Sequence, residues 1–540
     1  MEEIVQPQTR FGLFKNKIPY LFIALFSVLL AIGMFYHEMW RDELDIYGRI
    51  ALNGTLKYSQ YDYSYLTYNF LIKVFLWFNN SQTSYQICHY SIIVAVIFLL
   101  NKYAPFTLFE KAGITFSYFL FFEYGVISRY YGFLVLMVFI IMYLLSRKKV
   151  NYYLLIIPLI ILANHSINSF IFALALFVVV LNNLFKEKEN NNLTRKTVVA
   201  YIGVFLFFVL MGILYITYTT KLKSAFEGLA EAPYFMSIRT IWNSFLPLPE
   251  FTSHANFWNT NLFEFPLFYQ NPYDVAIYKT TQNFVLAGIS VLIFLIVLIK
   301  FSKKPLVFFV FMGNYILVLL FLHSARFYFI RHQGLLFIVF LYSYWLYHIA
   351  DERMYLPVIK NIKLTWLNRI KIDYVFKPML TLFLIIQMVS SGYAFYKDVK
   401  FKYTMSYDAA DYIKQNNLVN DYEMVGFVDY AAQTIAINLK KQMFFPQSGQ
   451  KEYVWQPFES TYKRDIPLNE VFYACSNYTE QQNKKVLLVL NFPLSDSNQQ
   501  PISAAMLSPK TSVTFLKAFT GDVIQEDEQF WIYECKHIIP

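Results

Sequence analysis

Long apolar runs constrain the fold of this chain more than any other feature. A run of about eighteen or more apolar residues predicts a transmembrane helix. The sequence predicts about eleven spans, of which two are short or interrupted (107–124 and 152–164). The predicted spans are 18–36, 84–101, 107–124, 130–146, 152–164, 166–183, 198–219, 280–300, 305–322, 332–349 and 378–396. With 57% hydrophobic and 15% charged residues, a soluble protein of 540 residues is excluded. The shorter stretch 64–78 predicts a helix lying in the membrane interface.

Positive charge is concentrated in alternate loops, as the positive-inside rule requires. The cation-rich set begins with Arg10, Lys15 and Lys17 and ends with the segment 350–377. The amino terminus is therefore predicted to be cytoplasmic and the carboxyl-terminal tail to lie outside. The predicted outward loops are 37–83, 125–129, 220–279 and 323–331. The first span lacks a small-residue cleavage site, which predicts an anchor and not a cleaved signal. The net charge of +10 follows from this topology and gives no argument for nucleic acid.

The chain is predicted to divide into a transmembrane domain, 1–397, and an extracytoplasmic α/β domain, 398–540. In the tail, "SYDAADYIKQNN" has helical spacing. "EMVGF" and "KKVLLVLNF" are typical of buried strands, and "SVTFLKAF" and "QFWIYEC" of alternating ones. Alternating helices and strands favour a small layered sheet. Cys475 and Cys535 both fall in this tail, where oxidation can occur, and the sequence leaves their pairing open.

Ionisable residues gather in the outward loops, where several different spans bring them to one face of the membrane. Charged groups at membrane depth are costly and are usually retained for function. The candidates are Asp42 and Glu43 in "WRDE", Glu123 and Arg129 in "FFEYGVISRYYG", His165 in "ANHSINS", and Arg326, Arg331 and His332 in "HSARFYFIRHQG". Structural interpretations stand beside the functional one. Asp42 and Glu43 can be solvated residues of an interfacial helix. Arg129 and Arg326 can be anchors at the membrane interface, and His165 can be a packed core residue.

An outward cavity that holds both carboxylates and guanidinium groups suits a substrate with a hydroxyl and a phosphate. A carboxylate can accept the proton of an attacking hydroxyl, as general-base catalysis requires. Arginine offers a two-pronged donor for a phosphate leaving group and stabilises the charge that develops on it. A phosphate carried by a polyprenyl lipid would also explain the membrane spans, because the lipid must be held laterally.

At these residues the sequence resembles the membrane-embedded GT-C glycosyltransferases, which use polyprenyl-phosphate sugars as donors. Protein mannosyltransferases and the aminoarabinose transferase of lipid A are relatives of this kind. The superfamily carries an acidic motif in its first outward loop, where this chain has "WRDE". The sequence is similar to a bacterial branch with "WRDE", "SRYY", "NTH"-like and "RHxG" motifs in that order. Here they are "WRDE", "SRYYG", "ANHS" and "RHQG", and the tail stretches "GFVDYAA" and "FFPQSG" extend the resemblance over most of the chain.

The resemblance implies an α-helical polytopic membrane protein of GT-C-like fold with a C-terminal extracytoplasmic α/β domain, in the bacterial cytoplasmic membrane. It implies that Asp42 is the catalytic base, that Glu43 assists or orients it, and that Glu123 is a second acid. The residues implied to hold the donor phosphate are Arg129, Arg326, Arg331 and His332. Those implied to contact substrate are Arg41, Tyr130, Tyr131 and His165.

The resemblance also bears on partners and cofactors. It implies a polyprenyl-phosphate-linked sugar donor, the lipid bilayer, and an extracytoplasmic glycan, lipid or protein as acceptor. Some GT-C enzymes bind a divalent metal at the acids and others do not, and the sequence does not decide between them. Two departures from the family pattern concern, in turn, His165 and the acceptor. "NHS" replaces the "NTH" order, and "YDYSYLTYN" stands where a His-Pro-Pro segment is often found.

Three other functions remain open at this stage. A lipid-linked glycan transporter or flippase predicts charges inside the spans and repeats with broken helices, whereas these span interiors are rich in Phe, Leu, Ile and Val. An O-antigen polymerase or ligase predicts a large outward loop with several arginines, and 220–279 has only Arg239. A non-catalytic scaffold would use the outward tail to bind cell-wall precursors.

Overall fold

The structure is a computed structural model. It describes residues 10–54, 65–225, 234–249, 251, 255, 257, 272–325, 329–357, 370–456, 462–481, 484–495, 504–508 and 510–537. Helices dominate the part of the chain that precedes residue 400, and a mixed sheet follows it. The predicted site residue Arg326 lies outside the described ranges.

The first part of the chain is a bundle of helices. They are α1 (Arg10–Tyr36), α2 (Arg41–Ala51), α3 (Leu66–Phe78), α4 (Gln82–Tyr103), α5 (Leu108–Thr115), a π-helix (Tyr118–Val126), α6 (Tyr131–Leu145), α7 (Tyr152–His165), α8 (Ile167–Glu189), α9 (Arg195–Ala225), α10 (Tyr234–Phe245), α11 (Pro272–Phe301), α12 (Pro305–Ala325), α13 (Ile330–Ile349) and α14 (Asp373–Lys400). Within the described ranges, seven helices are long and apolar enough to cross a membrane: α1, α4, α8, α9, α11, α12 and α14. The polytopic helical class predicted from the sequence is therefore confirmed, while the number of about eleven spans stays a prediction.

Two predicted boundaries differ from the structure. The span 107–124 is not one helix, because α5 ends at Thr115 and the π-helix begins at Tyr118. Ser117 starts this second helix, and its hydroxyl accepts the Leu120 N–H at 3.4 Å. The segment 220–279 is not only a loop either. It contains the end of α9, all of α10 and the start of α11, and the α10 carbonyls of Ser244 and Phe245 accept hydrogen bonds from Gln387 of α14.

Helix ends on one side of the bundle meet at the predicted site. α7 ends at His165, and the single residue Ser166 separates it from α8. Ser166 has an extended backbone, and its hydroxyl accepts the Ser169 N–H at 3.1 Å, which caps α8. The predicted outward segments that contain Asp42, Arg129 and Arg331 all lie at this end.

The tail forms one seven-stranded sheet with helices on both faces. Its elements are α15 (Ser406–Gln415), α16 (Leu418–Asp421), β1 (Tyr422–Phe427), α17 (Asp429–Leu439), β2 (Met443–Phe445), β3 (Gln450–Glu452), α18 (Leu468–Gln481), β4 (Lys485–Leu490), β5 (Ala504–Ser508), β6 (Thr511–Phe519) and β7 (Phe530–His537). The strand order is β3-β2-β1-β4-β7-β6-β5, with β1 parallel to β2 and β4 and the other pairs antiparallel. The helix and the four strands predicted from the sequence are confirmed.

Alternation along the strands separates two small cores in the tail. Met424 of β1 packs with α15 and α17 on one face, whereas Val425 packs with α18 on the other. Cys475 of α18 and Cys535 of β7 are buried together in the second core as free thiols. The disulfide that the sequence left open is therefore not formed in this structure.

The tail docks on α2, the helix that follows the first span. A Cβ added at Gly48 of α2 would lie 2.9 Å from both Ile437 of α17 and Val454, so glycine permits this close approach. Arg49 of α2 donates to the Trp455 carbonyl at 2.7 Å and pairs with Asp45 at 2.9 Å. The α/β domain thus packs directly against α2, the helix that carries Asp42.

Candidate functional site

Asp42 lies between two arginines from distant parts of the chain. Its Oδ2 atom is 3.1 Å from Arg129 Nη1, in the segment between the π-helix and α6. It is 3.4 Å from Arg331 Nη2, at the start of α13. The side chain of Asp42 is 24% exposed, and those of Arg129 and Arg331 are 8% and 12% exposed. The three side chains are therefore shielded from solvent, and about a quarter of the Asp42 side chain stays exposed although its Oδ2 atom is buried.

The charge of Asp42 is stabilised by its neighbours. Burial acts to raise the pKa of its carboxyl, but three guanidinium groups outweigh this effect and hold the pKa below its usual value. They belong to Arg129, Arg331 and Arg41. Arg129 Nε is buried and makes no hydrogen bond within the described residues. This arrangement keeps an ionised carboxylate beside donors that an anion could engage.

The π-helix brings Glu123 to the same place. All nine of its residues are buried, and Glu123 hydrogen-bonds with Tyr118 and interacts electrostatically with both arginines. A π-helix is rare and often occurs at functional sites, since the wider turn redirects side chains. A Cβ at Gly125 would lie 2.7 Å from the Leu120 carbonyl oxygen, so the sequence needs glycine to form this turn.

The glycines of the "SRYYG" and "RHQG" motifs pack against this π-helix. A Cβ at Gly334 would clash with the Phe119 ring and lie 2.5 Å from the Tyr124 hydroxyl. A Cβ at Gly132 would clash with Ile93 and lie 3.2 Å from the Tyr124 carbonyl oxygen. The Tyr124 hydroxyl also donates to the Arg331 carbonyl at 2.7 Å. The motif glycines therefore let the segments that carry the two arginines approach the π-helix.

Glu43 does not share the exposed position of Asp42. It is fully buried, and it accepts the Ser128 N–H at 2.5 Å and bonds His37 Nε2 at 2.7 Å. His37 Nδ1 in turn lies 3.0 Å from Asp398 at the end of α14. The hydrogen bonds that link Asp398, His37 and Glu43 therefore fix the backbone of Ser128, the residue before Arg129. Glu43 is thus placed to orient the site.

Sequence reasoning missed His37 and Asp398. His37 stands in the same stretch as Asp42, between the first span and "WRDE", which was a usable signal. Asp398 gave no signal, because it is 361 residues away from its partner. Trp40 was also missed. Its buried ring lies 5.8 Å from the Arg331 guanidinium and 5.4 Å from that of Arg41.

Arg41 points from the site into the α/β domain. Its guanidinium pairs with Asp527 and lies 4.7 Å above the Tyr430 ring, and its backbone N–H donates to Glu528 at 3.0 Å. Burial raises the pKa of Glu528 to about 8. Arg41 therefore connects the residues around Asp42 with the tail.

The aromatic and histidine candidates form a wall beside Arg129. The hydroxyls of Tyr130 and Tyr131 are 3.0 Å apart, and both rings lie within 6 Å of the Arg129 guanidinium. His332 is buried, with its ring 6.0 Å from that of Tyr131. His165 is buried, and its Nε2 lies 3.1 Å from the Tyr130 carbonyl oxygen. These contacts place His165 as a support for Tyr130.

The residues around Asp42 fit a divalent metal poorly. Two guanidinium groups occupy the positions next to the Asp42 carboxylate where a cation would have to lie. Divalent cations such as Mg²⁺ need oxygen ligands that are free of competing positive charge. Over the described ranges, three or more His, Cys, Asp or Glu side chains do not come together in a ligand group. Anion binding suits this set of side chains better.

The comparisons with known proteins show a likeness of fold and no likeness of sequence. The chain matches no protein-family model, and no curated protein matches it. It is similar to the crystal structure of ArnT from Cupriavidus metallidurans bound to undecaprenyl phosphate, with 9% identity and a TM-score of 0.49. The likeness covers 97% of this chain and 98% of that one. At this TM-score and identity it carries no conclusion about activity, which is drawn below from this chain's own residues.

Proposed function

We propose that the chain is a membrane glycosyltransferase that moves a sugar from a polyprenyl-phosphate donor to a hydroxyl of an extracytoplasmic acceptor. The observation that supports it is the convergence of Asp42, Arg129 and Arg331 from three separate segments at one end of a membrane bundle. The acceptor class is a glycan, a lipid or a protein. By the charge pattern of the loops, this end faces outward and the amino terminus is cytoplasmic.

In the proposed reaction the acceptor hydroxyl attacks the anomeric carbon of the donor sugar. Asp42 takes the hydroxyl proton as general base. The bond between the anomeric carbon and the phosphate oxygen breaks, and polyprenyl phosphate leaves with the electron pair. Arg129 and Arg331 stabilise the charge on that phosphate through guanidinium forks. Attack from the face opposite the leaving group inverts the anomeric centre.

Donor binding would also activate the base. Without donor, Asp42 is held by the two arginines, which keep its pKa low and its basicity weak. The donor phosphodiester carries one negative charge, as the carboxylate does, and its oxygens would compete for the same guanidinium groups, while the charge on the phosphate increases as polyprenyl phosphate leaves. When they turn to the phosphate, the Asp42 carboxylate loses part of its stabilisation and becomes a better proton acceptor. Glu123, through its charge interaction with both arginines, and Glu43, through its bond to the Ser128 N–H, would keep the arginines in place.

The test compares two carboxylates of the bundle. Asp42→Asn keeps the shape of the side chain and removes the base, so transfer should fall by about a hundredfold or more. Asp373→Asn, at the opposite end of the bundle, should leave transfer unchanged. The purified protein is reconstituted in liposomes with a panel of polyprenyl-phosphate sugars, and release of polyprenyl phosphate is measured. Equal rates for Asp42→Asn and the unaltered chain would refute the role of Asp42, and lipid movement without cleavage would indicate a transporter.

A further inference from the structure

The α/β domain has a second group of unusual side chains, at the carboxyl ends of its parallel strands. β1 lies between β2 and β4, and the chain leaves β1 toward β2 before it returns to β4 on the other side. In open α/β sheets, ligands bind outside the carboxyl ends of the strands at such a reversal. The residues found there are Asp429 after β1, Gln447 after β2 and Asn491 after β4.

Backbone and side chains tie these three strand ends together. The Asp429 N–H donates to Gln447 Oε1 at 2.8 Å, and the Val428 N–H donates to Asn491 Oδ1 at 3.4 Å. Gln447 in turn donates to the Arg464 carbonyl at 2.9 Å. The amides of Gln447 and Asn491 are therefore used in holding the loops, which leaves the Asp429 carboxylate as the group that faces a ligand.

Asp429 is fully buried, and one of its two carboxylate oxygens has no hydrogen-bond partner among the described residues. Oδ1 accepts the Tyr430 N–H at 2.7 Å, and the Tyr462 hydroxyl lies 3.5 Å from it. Oδ2 is buried and has no hydrogen-bond partner among the residues that the structure describes. A buried carboxylate oxygen without a partner is costly. Burial also raises the pKa of Asp429 to about 7.

Two of the residues that contact this carboxylate, Tyr430 and Tyr462, belong to a group of three half-buried aromatic rings with Trp455. The ring of Trp455 lies 6.3 Å from that of Tyr430 and 6.3 Å from that of Tyr462, each at an angle of 73°. Tyr430 lies beneath the guanidinium of Arg41, the residue before Asp42. The Trp455 carbonyl is bound by Arg49 of α2. The group is thus attached to the helix that carries the proposed base.

The geometry points to an acceptor subsite formed by Asp429, Tyr430, Trp455 and Tyr462, and to a neutral saccharide as its ligand. Aromatic faces are weakly negative and stack on the weakly positive C–H faces of sugar rings. A carboxylate oxygen without a partner can accept a sugar hydroxyl, and the negative charge that the group carries once it is ionised disfavours a phosphate. This inference rests on the proposed function, because it assigns the acceptor of the same reaction. A saccharide held here has the Arg41 side of the Asp42 site as its neighbour.

Saccharide binding can be measured without donor and therefore without transfer. The full-length protein in detergent is titrated by calorimetry with neutral hexose and N-acetylhexosamine disaccharides, the same sugars as phosphates, and serine-containing peptides. A neutral disaccharide should bind, and Asp429→Asn should weaken it by about tenfold, which is the effect of about 1.4 kcal/mol. Asp421→Asn, an exposed carboxylate of the same domain, is the matched control and should bind as the unaltered chain does.

Tyr462→Phe gives a second, milder variant that removes only a hydroxyl, so a general loss of fold cannot mimic the result. It should weaken disaccharide binding in the same direction as Asp429→Asn and leave donor binding unchanged. Binding of peptides alone, or disaccharide binding that Asp429→Asn and Tyr462→Phe leave intact, would overturn the assignment. If Asp429-dependent disaccharide binding is found but no donor is cleaved, the subsite stands and the transferase proposal fails. Donor cleavage without any saccharide binding would support the transferase and refute the subsite.

Discussion

The two ends of the helical bundle each hold one carboxylate between two cations, and they differ in the kind of cation and in how far the group is exposed. At one end, Asp42 lies between Arg129 and Arg331, which are nearly buried. At the other, Asp373 lies 2.5 Å from Lys300 and 2.8 Å from Lys303, and its side chain is 37% exposed. Lys300 is 10% exposed and lies 4.6 Å from the Tyr347 ring, whereas Lys303 is 35% exposed, so the second group is enclosed on one side only.

The difference shows why arginine and burial together indicate function. A partly exposed pair such as that of Lys303 with Asp373 stabilises a protein by only about 0–1 kcal/mol, because its ammonium group stays hydrated. Enclosing two guanidinium groups costs several kcal/mol unless a partner compensates them. The lysine end has a cavity of about 710 Å³, bordered by Arg147, Lys148 and Lys149. Cavity size alone therefore does not identify the reactive end.

The largest expected effect is a loss of stability when the buried hydrogen bonds between Glu43, His37 and Asp398 are broken. His37→Ala leaves Glu43 and Asp398 buried without the group between them. Removing one partner of a buried charge pair costs about 3–5 kcal/mol. Lys186→Ala, which removes one side of an exposed pair with Asp351 at the lysine end, should cost about 0–1 kcal/mol. Thermal unfolding in detergent measures both. Similar losses for the two variants would contradict the distinction between the two ends.

The next effect separates a packed glycine from an open one. Gly334→Ala forces a Cβ into Phe119 and the Tyr124 hydroxyl, and overpacking of this kind costs about 1–3 kcal/mol. Gly313→Ala of α12 is the control, because a Cβ there meets nothing within 4 Å and alanine favours a helix. The unfolding temperature should fall only for Gly334→Ala. A larger loss for Gly313→Ala would remove the packing explanation of the "RHQG" glycine.

A smaller effect distinguishes the two kinds of cation. Arg331→Lys keeps the charge and loses the planar fork, so kcat/KM for the donor should fall by about tenfold, or about 1.4 kcal/mol. Lys303→Arg at the lysine end should leave kcat/KM unchanged. Steady-state kinetics with a polyprenyl-phosphate sugar provides the readout. Full activity of Arg331→Lys would mean that a point charge suffices at this position.

The smallest effect is a shift in pH dependence. Because the pKa of Asp42 is lowered in the folded chain, its ion pairs stabilise the protein above the usual aspartate value of about 3.9 and are lost as pH falls through the lowered value. The acid limb of kcat/KM set by Asp42 should therefore lie below about pH 3.9. Arg331→Gln removes one cation and should move that limb upward, whereas Lys303→Gln should not. If the acid limb of the pH profile of kcat/KM lies at the same pH in Arg331→Gln as in the unaltered chain, a group other than Asp42 controls it.

Local patterns predicted most of the fold. The spans, α15 and the strands β1, β4, β6 and β7 follow from apolar runs and alternation, which depend on neighbours in the sequence. The π-helix could not be predicted, since the break at Ser117 and the wider turn are imposed by packing around Gly125 and Tyr124. The motif glycines were visible as letters, but their close approach to the π-helix required the assembled bundle.

The site shows the same limit. Asp42, Glu123, Arg129 and Arg331 were predicted from their place in outward loops, and the structure brings them together. Their proposed roles stay predictions. Glu43 and His165 were selected on the same grounds, yet one is tied to His37 and Ser128 and the other supports the Tyr130 carbonyl. Whether a polar residue faces a ligand or a neighbouring backbone depends on the direction of its side chain in the folded chain.

The amino-acid order alone determined that this chain is a helical membrane bundle with an α/β tail, and it predicted Asp42, Arg129 and Arg331 in loops of one side. It could do so because apolar transfer and charge placement act on short segments. Only the tertiary structure decided which charges meet, that His37 finds Asp398, and that an aromatic cluster with Asp429 lies beside Arg41. Those contacts join residues hundreds of positions apart, and their energies arise only when packing excludes water from both partners.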